Sequence, residues 1–176
     1  MKHFHYFPQV EYGAETAVNI MVRGKIRDAI LQRTALYYKY TITPGERPDI
    51  IAAKYYDNPR HTWALFYANN MFHPIHDWPM DDAVFTKYLE TKYGVSYPRG
   101  ALAFPHHYEL LDTATNKRLI IDEATYTLYK TDTTRKVRSV SVYQHEVEMN
   151  DNKRNIVILD KSYILDLTNE LSKLFK

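Results

Sequence analysis

The sequence predicts an α+β fold: a small strand–helix–helix–strand core carrying an added helix and a β-hairpin, with helical or extended arms at both ends. Three observations lead there. The run Tyr37–Thr43 (YYKYTIT) alternates aromatic and β-branched residues in the manner of a strand. Pro48 and Pro59 each open a segment of helical spacing, where proline suits the first turn. A chain of 176 residues with a hydrophobic share of 45% has enough apolar side chain to bury a core.

The elements follow in order. Residues 1–36 form an aromatic arm, with Phe4, Tyr6, Phe7 and Tyr12 around Pro8, leading into a short amphipathic helix over 27–36. Residues 37–111 hold the core. Its strand ends at the Pro44-Gly45 turn, and a helix runs from Pro48 to Tyr56 with Asp49 in the first turn, where the helix dipole favours a carboxylate. Asp57-Asn58-Pro59 ends that helix and starts a second, which places Trp63, Phe66 and Tyr67 on one face and reaches Asn69. After the loop Phe72–Pro79, an inserted helix over 81–93 turns Val84, Phe85, Tyr88 and Leu89 inward and stops at Gly94.

Residues 112–176 complete a hairpin between strands His107–Leu111 and Arg118–Asp122, then enter a Thr- and charge-rich exposed stretch at 125–139. A largely polar helix over 140–155 follows, its narrow apolar stripe made by Val140, Tyr143, Val147 and Met149. Ile156–Leu159 reads as a short strand, and Ser162–Phe175 as an amphipathic helix with Ile164, Leu167, Leu171 and Leu174 on one face.

Composition narrows the function. Sixteen tyrosines, seven phenylalanines and two tryptophans are more rings than a core of this size holds, and tyrosine suits interfaces because it is large, flat and polar at the tip. Twenty-three basic against 21 acidic side chains leave no basic stripe for nucleic acid. The one basic cluster, Arg135-Lys136-Val137-Arg138, reads as a solvated loop. With no cysteine, disulfides and thiolate metal sites are excluded. The N-terminus has no signal-peptide pattern, and no run approaches the ~20 apolar residues that span a bilayer. The expectation is a soluble protein folded in the cytoplasm where it is made.

No catalytic constellation emerges. The glycines never cluster into a phosphate loop, and no Gly-x-Ser-x-Gly elbow occurs. Asp81-Asp82 and Asp122-Glu123 are the only carboxylate pairs, explained by a helix cap and a solvated strand end. His73, His76 and Asp77 form the best metal candidate, but two prolines stiffen their loop and no further ligand is signalled beyond them. His106 and His107 precede a strand, whose alternation would send their rings to opposite faces and keep them off one ion. The expectation is therefore no enzyme, no cofactor and no metal.

The stretch Tyr40-Thr41-Ile42-Thr43-Pro44-Gly45, followed by Ile51-Ala52, Tyr55, Leu65 and Asn69, resembles the opening of a LysM domain, a strand–helix–helix–strand module. A LysM domain alone would imply binding of N-acetylglucosamine polymers such as peptidoglycan. The departures are specific: Pro48 stands where such domains have Leu, Arg47 replaces a small hydroxyl residue, and no second strand follows the second helix promptly. A longer run carries a different resemblance: Gly45-x-x-Pro48-x-x-Ile51-Ala52, Tyr55-Tyr56-Asp57-Asn58-Pro59, Trp63, Asn69, Pro74 and Asp77-Trp78-Pro79. It is similar to the LysM-like baseplate wedge protein family of T-even-type contractile-tailed bacteriophages, and the likeness extends in order over nearly the whole chain.

That resemblance implies a structural subunit of the virion tail baseplate, assembled in the host cytoplasm, with six copies around the tail tube. Its partners would be other wedge subunits and the proteins that initiate the sheath; neither nucleic acid nor membrane is implied. Tyr40, Ile42, Gly45, Ile51, Ala52, Tyr55, Pro59, Trp63 and Asn69 would build the scaffold. Phe4, Tyr6, Phe7, Tyr12, Arg47, Pro48, Trp78, Tyr143, Leu167 and Leu171 are the candidates for partner contacts. Trp78 has two readings, an anchor reaching a neighbour or a plug closing the core beneath the third helix. The alternative function is a peptidoglycan-binding module.

Overall fold

The computed structural model describes residues 7–19, 37–112, 115 and 117–174, with the side chains of 170–174 left aside. Phe4, Tyr6 and the helix expected over 27–36 lie outside the described residues, as does the side chain of Leu171. The fold is α+β with antiparallel sheets. It divides into two compact units, the first made of Met1–Pro79 and Lys153–Lys176, the second of Met80–Asn152. This corrects the expected boundaries. The helix after Trp78 is not an insertion within a core ending at residue 111; it opens a separate unit that occupies the whole middle of the chain.

In the first unit, β1 (Gln9–Tyr12) and β2 (Glu15–Val18) form a hairpin across Gly13, every strand residue of which is exposed. β3 (Tyr37–Thr41) leads through the Pro44-Gly45 turn to α1 (Pro48–Tyr56). Gly45 sits at φ +79°, and the Glu46 N–H donates to the Thr43 carbonyl at 3.1 Å, the geometry that proline followed by glycine favours in a type II turn. α1 begins at Pro48 after an extended Arg47 and ends where Asp57 turns left-handed at φ 55°. Asn58 caps the next turn by accepting from the Arg60 N–H at 2.9 Å, and α2 (Thr62–Ala68) follows.

The strand that completes this unit comes from beyond the second. β7 (Asn155–Leu159) pairs antiparallel with β3, Tyr37 opposite Leu159 and Thr41 opposite Asn155, before α7 (Ile164–Leu174). Ile42, Ile51, Ala52, Tyr56, Ala64, Leu65, Trp78, Ile156, Ile158, Leu159 and Ile164 make the core. The buried face of α2 is Ala64, Leu65 and Ala68, so Trp63, Phe66 and Tyr67 flank it rather than form it. Small residues let α2 lie close to the sheet, and the rings close the sides.

Asn69, at the end of α2, ties the helix to β7. Its side-chain amide donates to the carbonyls of Leu65 and Val157, each at 2.8 Å, while its Oδ1 accepts from the Val157 N–H at 2.8 Å. One side chain thus does for Val157 what a third strand would do, satisfying both polar groups on the open edge of β7.

The second unit comprises α3 (Asp82–Tyr93), α4 (Pro98–Ala101), β4 (Pro105–Asp112), β5 (Lys117–Ile121), α5 (Glu123–Tyr129), β6 (Lys136–Ser141) and α6 (Val142–Asn152). Asp81 caps α3 by accepting from Val84 N–H, and Gly94 at φ 64° ends it. Phe85 and Leu89 are its buried face, with Met80, Leu102 and Val142, while Val84 is exposed, contrary to expectation. The sheet order is β5-β4-β6. The stretch 125–139 is not a loop throughout: Asp122 caps α5, and Lys136–Ser141 pairs with β4. α6 turns Val142, Glu146 and Asn150 inward and leaves Met149 exposed, one step off the expected stripe.

Asn150 repeats the device of Asn69. It donates to the Met80 carbonyl at 3.0 Å and accepts from the Met80 N–H at 2.9 Å, clamping the end of this unit to its beginning.

Asn69→Ala is expected to leave the Val157 amide groups unpaired and to lower the stability of the first unit by about 1–3 kcal/mol. Both tryptophans, Trp63 and Trp78, lie in that unit, so urea unfolding followed by tryptophan fluorescence measures the change. An unchanged midpoint would mean that the bridge contributes nothing.

Candidate functional site

Arg47 and Pro48 stand at the first-unit turn. Its geometry is set by Glu46, whose Oε1 accepts from the Tyr40 hydroxyl at 2.7 Å and whose Oε2 accepts from the Thr43 N–H and hydroxyl at 3.1 and 3.0 Å. The hydrogen bond to Glu46 raises the Tyr40 hydroxyl to a pKa of about 12, so it remains a donor at neutral pH. Arg47 reaches outward and forks onto Asp49 at 3.1 and 2.9 Å. That pair is well exposed and contributes little to stability, so the guanidinium is available for exchange to another carboxylate.

Trp78 is not an outward anchor. It is 9% exposed, its ring packs edge-on against Phe66 with centroids 6.2 Å apart, and its Nε1–H donates to the Glu46 carbonyl at 3.0 Å. Both halves of an amphipathic ring are thereby used inside the first unit. Tyr143 and Leu167 are likewise half-buried against the cores of their own units. Phe7 is buried, whereas Tyr12 is 83% exposed on the β1–β2 hairpin.

The expected scaffold residues come together. Ile42, Ile51 and Ala52 are in the core, and Tyr40, Tyr55 and Trp63 pack against it. Tyr40 and Tyr55 meet edge-on with centroids 5.5 Å apart, and Pro59 opens the turn before α2.

Further exposed apolar side chains, absent from the sequence-based candidates, lie in the second unit: Tyr97, Phe104, Leu119, Ile120 and Leu128. Tyr97 adopts φ 57°, a left-handed conformation that a bulky side chain rarely takes, immediately before Pro98. Leu119 and Ile120 are consecutive and both exposed, so β5 has no buried face along this run. Two successive apolar residues on a hairpin strand were the available signal.

The charged centre of the second unit is built around Glu109, on the central strand. Arg138, opposite it on β6, donates through Nε to Oε2 at 2.6 Å, His107 Nε2 lies 3.2 Å from Oε1, and Arg118 lies at 4.0 Å. Arg138 also reaches Glu148 at 2.8 Å. Arg138 therefore belongs to a strand-borne ion network and not to a solvated loop. On α6, Glu146 accepts from Lys92 Nζ at 2.8 Å and from the Tyr93 hydroxyl at 2.7 Å. Burial alone would raise both carboxyls, but these donors outweigh it and hold Glu109 and Glu146 below the ordinary carboxylate range.

His73, His76 and Asp77 do not assemble as three ligands. The Asp77 Oδ2 accepts from the N–H groups of Phe72 and His73 at 2.7 and 2.8 Å, so it staples the loop. His106 and His107 correct the opposite expectation. The register of β4 against β6 shifts between Pro105 and His107, and this bulge brings the two Nδ1 atoms to 2.8 Å. His145 stacks on His106 with ring centroids 4.0 Å apart. Among the described residues these three are the one group of histidines and carboxylates that each bring a ligand atom within 4.8 Å of the others.

Among the described residues, no helix is long and apolar enough to cross a membrane. No protein-family model matches the chain, and no curated protein matches it either.

Since the carboxyls of Glu109 and Glu146 are held below their unfolded values, their contribution is full above about pH 4.3, the ordinary carboxylate value, and is lost as pH falls through the lowered ones. Amide hydrogen exchange over β4, β6 and α6, taken relative to the intrinsic rate at each pH, is expected to accelerate steeply below about pH 4. In Glu146→Gln the acceleration should be shallower, and an identical pH profile would remove Glu146 as a contributor.

Proposed function

We propose that this chain is a structural subunit of a phage baseplate wedge, built on a LysM-like core and working by protein–protein contact. The observation that carries the reading is the pairing of β3 with β7 around α1 and α2. It gives the strand–helix–helix–strand order of the module that the stretch from Tyr40 to Asn69 resembles, with the second strand delivered only after the whole of Met80–Asn152. The late return of that strand is a departure from a plain sugar-binding module.

Two further features support it. Both units carry exposed aromatic or branched side chains, from Tyr12 on the first to Ile120 and Leu128 on the second, of the kind enriched where proteins meet. Arg47, which replaces a small hydroxyl residue at the turn, presents a charged fork suited to a carboxylate on another protein. Six copies, wedge neighbours and sheath-initiating partners follow from the family resemblance.

Co-expression with wedge and sheath-initiating proteins of contractile phage tails, followed by size-exclusion chromatography with light scattering, tests the proposal. The full chain is expected to elute in a complex burying over ~2,000 Å² in total. Tyr12→Ala is expected to weaken that complex by roughly tenfold if the hairpin is in the contact. A chain that stays monomeric beside every tail protein, yet is retained by insoluble peptidoglycan, would be a glycan-binding module instead.

A further inference from the structure

We infer that His106, His107 and His145 form a binding site for one divalent transition-metal ion of the zinc class. Three independent pieces of local structure converge on it, all within the second unit.

The first is the β-bulge. In a regular strand His106 and His107 would diverge, but β4 spends two residues against one of β6 at this point, Pro105 opposite Ser141 and His107 opposite Val140. His106 is the extra residue, and its ring swings to the side of His107.

The second is the start of α6. Ser141 and Gln144 form a reciprocal capping box: the Gln144 N–H donates to Ser141 Oγ at 3.2 Å and the Ser141 N–H to Gln144 Oε1 at 3.1 Å. The backbone N–H groups of Val142 and Tyr143 donate to the carbonyls of Phe104 and Leu102 at 3.1 and 3.0 Å, fixing this first turn beside the entry to β4. His145 is thus held by the backbone over the bulge, stacked on His106 at an interplanar angle of 6°. One ring nitrogen from each histidine then lies within 4.8 Å of the others.

The third is the carboxylate behind the ligands. His107 Nε2 faces Glu109 Oε1 at 3.2 Å, and Glu109 is fixed by Arg138. A histidine that gives its Nε2 proton to a carboxylate keeps a lone pair on Nδ1, the tautomer and the carboxylate–histidine arrangement found behind metal-bound imidazoles. With His107 so fixed, the 2.8 Å contact makes His106 Nδ1–H the donor to His107 Nδ1. A tetrahedral ion with bonds of about 2.0–2.1 Å separates two ligand nitrogens by about 3.3 Å, so His106 and His107 need to part only slightly, while His145, which lies flat on His106, must turn its ring to bring a nitrogen lone pair onto the ion.

The balance of the step is simple. The ion takes lone pairs from three neutral imidazoles; His106 gives up its Nδ1 proton to solvent and takes one on Nε2, so each ring keeps one N–H and no net proton is released. Three nitrogens leave the fourth vertex to water. Imidazole ligands favour zinc, cobalt, nickel and copper over magnesium or calcium.

The test uses the untagged full chain stripped with chelator. Titration with Co²⁺ is expected to give the visible bands of a tetrahedral site at one ion per chain, displaced by Zn²⁺ and unaffected by Mg²⁺. His106→Ala with His145→Ala is expected to abolish the bands, whereas His73→Asn with His76→Asn leaves them unchanged. Glu109→Gln, which removes the positioning carboxylate, should weaken binding by about 10–100-fold. In the unaltered chain, Zn²⁺ should shift the imidazole resonances of these three histidines and leave those of His61, His73 and His76 in place, a readout that does not depend on any variant folding. Absence of saturable Co²⁺ binding, or binding that survives in the His106/His145 variant, would overturn the assignment, as would Zn²⁺ shifts confined to other histidines.

Discussion

The antiparallel register between Tyr37–Thr41 and Asn155–Leu159 is the contact on which the first unit depends. It turns a lone strand and two short helices into a closed layer, since Ile156, Ile158 and Leu159 supply a large part of the apolar surface that α1 and α2 need to cover. A two-stranded ribbon is marginal by itself, and this one is completed at its outer edge by the amide of Asn69. Remove β7, and the helices face water on the side that Ala52, Ala64 and Leu65 now bury. The entropy of closing so long a loop rises only slowly with its length, by about 0.6 kcal/mol per doubling, so a large middle segment is tolerable where it folds on its own core.

Much of the first unit was legible because its signals are local. Pro48 and Pro59 mark helix starts, Asp57 and Asn58 mark the break between them, and Gly45 after Pro44 marks the turn. The strand character of Ile156–Leu159 was equally readable, but its partner was not: pairing between distant segments has no local signature. The same blindness misplaced the unit boundary, since nothing in the composition near Pro79 or Lys153 announces a linker. Trp78 shows a subtler limit. Its two flanking prolines left open a presented ring or a core plug, and the choice is made by distant partners, the Phe66 ring and the Glu46 carbonyl, which no local pattern announces.

In the second unit the errors were errors of phase. Of the stripe expected on α6, Val140 is buried in the preceding strand, Tyr143 and Val147 pack against the core, and Met149 is exposed; the capping pair Ser141 and Gln144 starts the helix at Val142, so that its most buried line is Val142, Glu146 and Asn150. That Ser-x-x-Gln spacing was visible in the sequence and would have located the helix start. The strand holding His106 and His107 was read as regular, and a bulge is written in tertiary pairing, not in the two residues themselves. Polar residues inside this unit are there because each has a fixed partner. Glu109 and Glu146 are buried beneath the exposed side chains of Arg138 and Lys92, and the cross-strand placement of Arg138 opposite Glu109 could be anticipated only once the sheet order was known.

The Asn150 clamp on Met80 has a consequence for how such a chain can be assembled and altered. Because the two ends of the middle segment meet in a pair of hydrogen bonds, that segment enters and leaves its host at nearly one point. It behaves as a cassette: longer, shorter or absent versions would ask little rearrangement of the flanking polypeptide. The ribosome, however, reads in one direction. The host half cannot be sealed until the cassette has emerged in full and the last strand follows it, so the piece in the middle is the first that is able to finish folding.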